Sequence, residues 1–196
     1  MNVRFCGFDL PAERFSFIEH RDACLVAISK HRSDEKGGER LDRTPVAEGD
    51  IVIADRGFLH PEPLTHVLQQ SADVIIRAGW KGARWLDAKG ERFDIQAALQ
   101  EAETVGMLDR PVCIGRKKGP ALSLRLVAFR LPPVKAEEAR ARARRAAKRE
   151  DYAVSGGTLA AAGWVILVTS LDAGAFPAAK ISELYRIRHA GRMLSA

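Results

Sequence analysis

Cysteine is scarce in this sequence, and the spacings in which cysteine and histidine usually hold metal ions are missing. Three cysteines and five histidines occur in 196 residues. Cys6, Cys24 and Cys113 stand far apart with no Cys-x-x-Cys pair, and no two histidines show His-x-His or His-Glu-x-x-His spacing. The sequence therefore gives no support for a disulfide framework or a zinc site. It predicts a reduced cytoplasmic protein.

Long apolar runs are missing as well. No stretch approaches the roughly 18 apolar residues that a membrane-spanning helix needs. The first residues, MNVRFCGFDL, lack the apolar core of a signal peptide. Ser155-Gly156-Gly157 matches neither a phosphate-binding P-loop nor the nucleophile elbow of hydrolases. We therefore expect no membrane partner.

The composition is that of a globular domain with a slight excess of positive charge. Hydrophobic residues make up 46% and charged residues 29% of the chain, which excludes a disordered polypeptide. Lysine and arginine outnumber aspartate and glutamate by 31 to 25, a net charge of +6. This excess suits a polyanionic partner such as DNA, but it is small.

Hydrophobic periodicity predicts a mixed α/β chain in which residues 73–133 form a β-rich unit inserted between core strands. The predicted strands are 3–10 and 14–20 (a hairpin-like pair), 51–54, 73–77, 83–87, 91–95, 111–114, 122–129 and 164–171. The predicted helices are 39–43, 60–71, 95–102, 135–150, 158–162 and 177–188.

The fully apolar run of residues 51–54 predicts a central strand buried on both faces, and Asp55 stands at its end, in the stretch IVIADRGF. In open α/β sheets, the carboxyl ends of the strands border the crevice where ligands bind. A carboxylate there can hold a divalent cation through oxygen, and Gly57 would allow a sharp turn after it. The alternative is that Asp55 caps this turn while Arg56 pairs locally.

Two basic segments are candidate DNA contacts. One is the predicted helix KAEEARARARRAAKRE, in which Arg140, Arg144, Arg145 and Lys148 can neutralise phosphates. The alternative for it is a solvated helix whose glutamates screen the arginines. The other segment is Arg116-Lys117-Lys118, for which the alternative is a solvent-exposed hairpin turn.

Tyr185 and Arg188 form a third candidate, because a spacing of three places them on one face of the last predicted helix. Together they can grip a phosphate. The alternative is an amphipathic helix with its apolar residues in the core. The tryptophans at positions 80, 85 and 164 can stack on bases, but core positions are the simpler interpretation.

Taken in order, these segments resemble one family. The most specific stretch is GERLDRTPVAEGDIVIADRGF, followed by DVIIRAG, the arginine-alanine helix, GWVILVTSL and ELYRIR. Together they resemble the DDE transposases of bacterial insertion sequences, in the IS-four group, from about residue 8 to residue 188. The resemblance implies an RNase H-like core with a β-strand insertion.

For the site, the resemblance implies two Mg²⁺ ions held by three carboxylates. Such a site catalyses DNA cleavage and strand transfer. Asp55 matches the second carboxylate, and so is the expected catalytic and metal-binding residue. Tyr185 and Arg188 match the start of the family's Tyr-x2-Arg-x3-Glu-x6-Lys signature. The implied partners are transposon ends and target DNA, with a homodimer with an intact transposase as a further possibility.

The sequence departs from the family pattern near both ends. The first aspartate of the triad is expected upstream of FCGFDL, and Arg192 stands where the signature places glutamate. Residues 189–196 diverge as a frameshift would make them diverge. The sequence thus predicts an internal fragment, with an incomplete RNase H-like core, that is inactive as a single chain. The alternatives are a non-catalytic DNA-binding remnant, a regulator of an intact transposase, or a pseudogene product.

Overall fold

The protein is built around one mixed, eight-stranded β-sheet with helices on both faces. The computed structural model describes residues 2–5, 24–25, 40–43 and 45–193. The side chains of residues 2–5, 24–25, 43 and 187–193 are outside that description. Among the described residues, no helix combines the length and apolarity that crossing a bilayer requires.

The elements within these ranges follow the predicted order closely. The strands are β1 (Asn2–Phe5), β2 (Cys24–Leu25), β3 (Asp50–Ala54), β4 (Asp73–Arg77), β5 (Trp85–Leu86), β6 (Met107–Ile114), β7 (Leu122–Arg130) and β8 (Trp164–Thr169). The helices are α1 (Pro61–Gln69), α2 (Ile95–Glu101), α3 (Pro133–Arg149), α4 (Gly156–Ala162) and α5 (Ala178–Met193). Short 3₁₀ turns cover Leu41–Arg43 and Arg56–Phe58.

The sheet order is β2-β1-β3-β4-β8-β7-β6-β5. Strands β1 to β4 pair in parallel, whereas β5 to β8 pair antiparallel, including β8 against β4. All five residues of β3 are buried, in agreement with the continuous apolar run from which a central strand was predicted. The carboxyl ends of β3 and β4 therefore lie at the same edge of the sheet.

Alternation along the central strands divides the core into two layers. The even-numbered side chains of β3, β4 and β8 pack with residues of α1, α2 and α4. The odd-numbered side chains Ile51, Ile53, Ile75 and Leu167 pack instead against α5. The helix that carries the Tyr185 motif is thus fixed to the face of the sheet opposite α1.

The sequence suggested that residues 73–133 form an inserted β-rich unit. In the structure they do not form a separate lobe. Strand β4 and strands β5 to β7 are members of the same sheet as β3. The reason is β8, the last strand in the chain, which lies between β4 and β7 and pairs with both. The segment lies between β3 and β8 in the sequence, but its strands belong to the same sheet as they do.

One local prediction also differs from the structure, and another falls outside the described residues. Residues 91–95 form no strand, because Asp94 begins helix α2 there and only an isolated bridge joins Leu86 to Arg92. The expected N-terminal hairpin would need residues 14–20, which lie outside the described part of the chain. The strand that is described near there, β1, pairs in parallel with β2 and β3.

Replacing Asp94 with alanine is expected to cost about 1 kcal/mol in the free energy of unfolding. The Asp94 carboxylate accepts hydrogen bonds from the backbone N–H groups of Gln96 (2.9 Å) and Ala97 (3.2 Å), which have no partner inside the helix. Urea denaturation measures the loss. The control is Glu101→Ala, an exposed position in the same helix. Equal losses in the two variants would show that the cap contributes nothing specific.

Candidate functional site

Asp55 directly follows β3 and begins a tight 3₁₀ turn. Its backbone is extended (φ −85°, ψ 178°), and its carbonyl accepts a hydrogen bond from the N–H of Phe58 at 3.1 Å. Phe58 is buried and anchors the turn in the core. Gly57 does not have a positive φ, and a Cβ built there meets no atom within 4 Å. The expected need for glycine at this turn was therefore wrong.

The Asp55 side chain is half-buried and does not cap the turn that it begins. Because its backbone continues the extended strand, alternation places it on the same face as Ile53, the face covered by α5. Tyr185 of α5 is buried in that layer. The structure thus brings Asp55 towards one of the two residues of the last-helix motif.

Arg56 follows Asp55 directly in the chain, and Arg77 ends the neighbouring strand β4. Arg56 keeps an exposed surface, but partial loss of hydration lowers the pKa of its guanidinium and repulsion by Arg77 lowers it further, whereas Asp55 and Tyr185 raise it. Arg77, Asp55 and Tyr185 are thus each close enough to Arg56 to interact with it electrostatically. Arg77 ends β4, in the register position next to Asp55 across the parallel pair.

These residues do not fit a two-metal site by themselves. Within the described ranges, no three aspartate, glutamate, histidine or cysteine residues cluster in a way that could hold a metal ion. Asp55 is the carboxylate that the described residues contribute at this position, and the neighbouring guanidinium of Arg56 repels cations. We therefore derive no catalytic step through Mg²⁺ from this arrangement.

A cavity of about 430 Å³ opens beside Arg56 and Arg77, between the sheet edge and helices α3 and α4. Arg142 of α3 is the third arginine in its lining. Much of the remaining wall is alanine, from α3 and α4. The Nε atom of Arg77 is buried and has no hydrogen-bond partner in the described structure. These three arginines, called the arginine cavity below, were not grouped by sequence reasoning.

The basic residues predicted on α3 are partly screened. Arg144 donates a hydrogen bond to Glu137 at 2.8 Å, and Arg140 lies 3.5 Å from the same glutamate. This contact lowers the pKa of Glu137, chiefly through the hydrogen bond from Arg144. Arg145 and Lys148 are exposed, and no ion pair is recorded for them in the described part of the chain. Helix α3 thus carries arginines that are paired with Glu137 and, in addition, the exposed cations Arg145 and Lys148.

The Arg116-Lys117-Lys118 cluster lies in the loop of the β6–β7 hairpin, as its alternative interpretation predicted. Lys117 and Lys118 are exposed, whereas Arg116 is half-buried. The Arg116 Nε is buried without a hydrogen-bond partner in the described structure. The loop therefore presents charge to solvent at a distance along the sheet from Asp55.

The aromatic candidates lie mostly in the core. Trp85 and Trp164 are buried, and Trp80 packs against the same core cluster. The indole N–H of Trp85 donates to the carbonyl of Trp80 at 3.1 Å. Tyr185 is also buried, at 3% exposure, so its ring is a core residue. Arg188 belongs to α5, but its side chain lies outside the described set.

Arg125 of β7 is a further residue that sequence reasoning missed. Its guanidinium donates to both carboxylate oxygens of Asp109 on β6, at 2.6 and 2.5 Å. It also donates to the carbonyls of Leu171 (3.4 Å) and Phe176 (2.6 Å), in the segment that joins β8 to α5. The hydrogen bond from Arg125 to Asp109 is the main cause that raises the pKa of Arg125. This contact attaches the start of α5 to the sheet.

Comparison with known proteins identifies relatives of the chain. It is 37% identical, over 161 residues, to the Escherichia coli protein named as transposase InsL of insertion sequence element IS186A. The same identity over the same length is found with the Escherichia coli transposase for insertion sequence element IS421. The chain is a homologue of bacterial insertion-sequence transposases. This confirms the resemblance that was predicted from the order of its motifs.

The similarity to these insertion-sequence transposases covers 80% of the chain but only 44% of the IS186A protein and 43% of the IS421 protein. The chain thus spans less than half the length of these relatives. No protein-family model matches the chain. No solved structure is significantly similar to it either.

Proposed function

We propose that this chain is part of the catalytic region of a DDE-type transposase with an RNase H-like core. The observation that carries the proposal is the position of Asp55. It stands at the carboxyl end of a buried central strand, on the face covered by the helix of Tyr185. The relatives support the same conclusion, because they are named as transposases.

In this proposal Asp55 is the second carboxylate of a triad and would contribute to Mg²⁺ binding in a complete site. The substrates are DNA: transposon ends and target DNA. The exposed α3 residues Arg145 and Lys148 are phosphate contacts, and Arg188 joins them from α5. The chain acts in the cytoplasm and is able to associate with an intact transposase. By itself it binds DNA without cutting it.

A second candidate function is a non-catalytic DNA-binding regulator of an intact transposase. Arg192 favours it, because it introduces a positive charge into α5 where the family signature has a metal-binding glutamate. The guanidinium groups beside Asp55 favour it too, because they suit phosphate better than a metal cation. Inhibition of an intact relative by the added chain would support this candidate.

DNA affinity is expected to be weak, independent of sequence and strongly dependent on salt. Each phosphate contact releases a counterion, so the logarithm of affinity should fall linearly with the logarithm of salt, by about 0.9 per contact on duplex DNA. Fluorescence anisotropy with labelled duplexes, between about 50 and 200 mM salt, measures this slope. Arg145→Gln with Lys148→Gln should reduce it by about 2.

The matched control for charge is Arg110→Gln, an exposed arginine on β6 that lies outside α3 and the arginine cavity. It should leave the salt slope unchanged. Affinity that does not vary over this salt range would contradict the proposal that α3 binds phosphate. It would instead assign these cations to a solvated helix face.

A further inference from the structure

We propose that Pro111 prevents the outer edge of strand β6 from pairing with the same edge of a second copy of this chain. The outer edge is the side of β6 that faces away from β7, from Met107 to Val112. The proposal is argued from the hydrogen-bond pattern of the sheet and does not depend on the proposed function. No residue of this edge lines the arginine cavity.

The first argument is that this edge has no neighbouring strand. All eight residues of β6 pair with β7. On the other side of β6, strand β5 pairs only with Cys113 and Ile114. Strand β5 ends the sheet, so no described strand covers β6 from Met107 to Val112. An edge of this kind is a template onto which another chain can add a strand.

The second argument is the direction of the backbone groups. In an antiparallel ladder, residues that bond to one neighbouring strand alternate with residues that face the other side. The N–H of Arg130 donates to the carbonyl of Gly106 at 2.9 Å, which assigns the even-numbered residues to β7. The N–H of Gly115 donates to the carbonyl of Arg84 at 2.9 Å, which assigns the odd-numbered residues to the outer side. Two separate contacts thus give the same assignment.

This assignment explains how β6 accommodates a proline. Pro111 has an odd number, so its missing N–H belongs to the outer side, and the ladder to β7 loses no hydrogen bond. The other outward donors at this edge are the N–H groups of Met107 and Asp109, for which the described structure records no hydrogen bond. Of the three outward positions at this edge, one therefore lacks a donor.

The third argument concerns a second copy of the chain as the incoming strand. Two identical edges pair antiparallel about a two-fold axis, so each defect occurs twice in the joint ladder. Pro111 of each copy then leaves a carbonyl of the other copy without a donor. Arg110 is exposed, and both copies bring it to the same face of the joined sheet, where the like charges repel. Prolines and charged side chains are common means by which natural sheets prevent edge-to-edge association.

The edge needs this protection because exposed apolar side chains accompany it. Met107 is 43% exposed, and Val105, two residues before it, is 73% exposed. Burial of such side chains favours association of two copies. Without Pro111, the edge would combine these side chains with backbone groups that are free to pair. It follows that any association of this chain with a second copy must use another surface.

Pro111→Thr tests the proposal, because threonine restores the outward N–H and favours strand structure. Two restored hydrogen bonds, one from each copy, should allow the variant to dimerise at a concentration roughly 10-fold or more below any at which the wild-type protein does. Sedimentation velocity over a dilution series measures monomer and dimer. The control is Pro120→Thr, which removes an exposed proline from the loop between β6 and β7 and should sediment like the wild-type protein.

Pro111→Lys separates the missing N–H from the other effects of removing the proline. Lysine also restores the N–H, but it adds a charge at the edge, and a charge there opposes pairing. This variant should therefore dimerise less than Pro111→Thr. Both variants keep the ladder to β7, so both should give the circular dichroism spectrum of the wild-type protein.

Amide hydrogen exchange shows where the copies meet. In the wild-type protein, the N–H groups of Met107 and Asp109 should exchange rapidly at every concentration. In Pro111→Thr they should become protected as the dimer forms. The proposal is overturned if Pro111→Thr stays monomeric like Pro120→Thr, or if its dimer leaves these two amides unprotected. A wild-type protein that already dimerises with both amides protected would overturn it as well.

Discussion

The chain is expected to leave transposon-end DNA uncut in the presence of Mg²⁺ or Mn²⁺. The physical reason is the charge next to Asp55, where Arg56, itself close to Arg77, repels the cations that a nuclease site must bind. Arg192 adds a further positive charge at the expected position of glutamate. Cleavage of an end-labelled duplex, resolved on a denaturing gel, measures the activity directly.

Arg192→Glu alone should not produce cleavage, because a two-metal site needs more than two carboxylates. Activity is expected when this change is combined with an added segment that supplies the first aspartate of the family's triad. Asp55→Asn should then reduce the rate by roughly 10³-fold or more, since a metal ion supplies several kcal/mol of charge stabilisation. The matched control is Glu101→Gln, an exposed carboxylate on α2 that should be neutral.

Two results would contradict this interpretation. Cleavage by the unmodified chain that survives Asp55→Asn would assign the chemistry to another group. A completed chain that cuts DNA equally well with aspartate or asparagine at position 55 would remove Asp55 from the triad. In either case, the position of Asp55 at the end of β3 would have only a structural meaning.

Arg125→Met is expected to lower the free energy of unfolding by about 2–4 kcal/mol, a large fraction of a typical domain's stability. The Arg125 side chain is 10% exposed. Its loss leaves the Asp109 carboxylate without this partner and removes the donor from the carbonyls of Leu171 and Phe176. A group left without a partner in a buried position costs more than the hydrogen bond contributed.

The control is Arg130→Met, which breaks an ion pair with Glu103 whose side chains are 46% and 56% exposed. It should cost less than about 1 kcal/mol, because water screens and replaces exposed ion pairs. Denaturant unfolding compares the two variants, and hydrogen exchange should show faster opening of α5 in Arg125→Met alone. Equal losses would mean that the Arg125 contact does not anchor α5.

Local sequence patterns predicted the helices and strands well where the hydrophobic pattern and the intrinsic propensity of the residues indicate the same element. The apolar run IVIA predicted a central strand buried on both faces, and β3 is that strand. The alanine- and arginine-rich composition of 135–150 predicted helix α3. The failure at 91–95 is local too. The helix predicted over 95–102 is present as α2, and the error lies in the strand predicted before it, because Asp94 is the N-cap of that helix.

The candidate site was predictable only in part. Asp55 was chosen from a motif of eight residues, and its position after β3 follows from that motif. The arginine cavity was not predictable in the same way, because Arg142 lies far along the chain from Arg56 and Arg77. An arginine ending the buried strand DVIIR was a signal, since a charge at such a position needs a partner or a ligand.

The sequence by itself determined the kind of protein: a mixed α/β chain related to insertion-sequence transposases, with a carboxylate at the end of its central strand. Propensity, periodicity and motif order are properties of neighbouring residues, so they can be read directly from the chain. Only the tertiary structure decided that β8 inserts between β4 and β7 and joins all the strands into one sheet. It also decided that Arg125 attaches α5 and that three distant arginines line one cavity. Those outcomes depend on which remote segments pack together, and many pairings of strands satisfy the same local pattern.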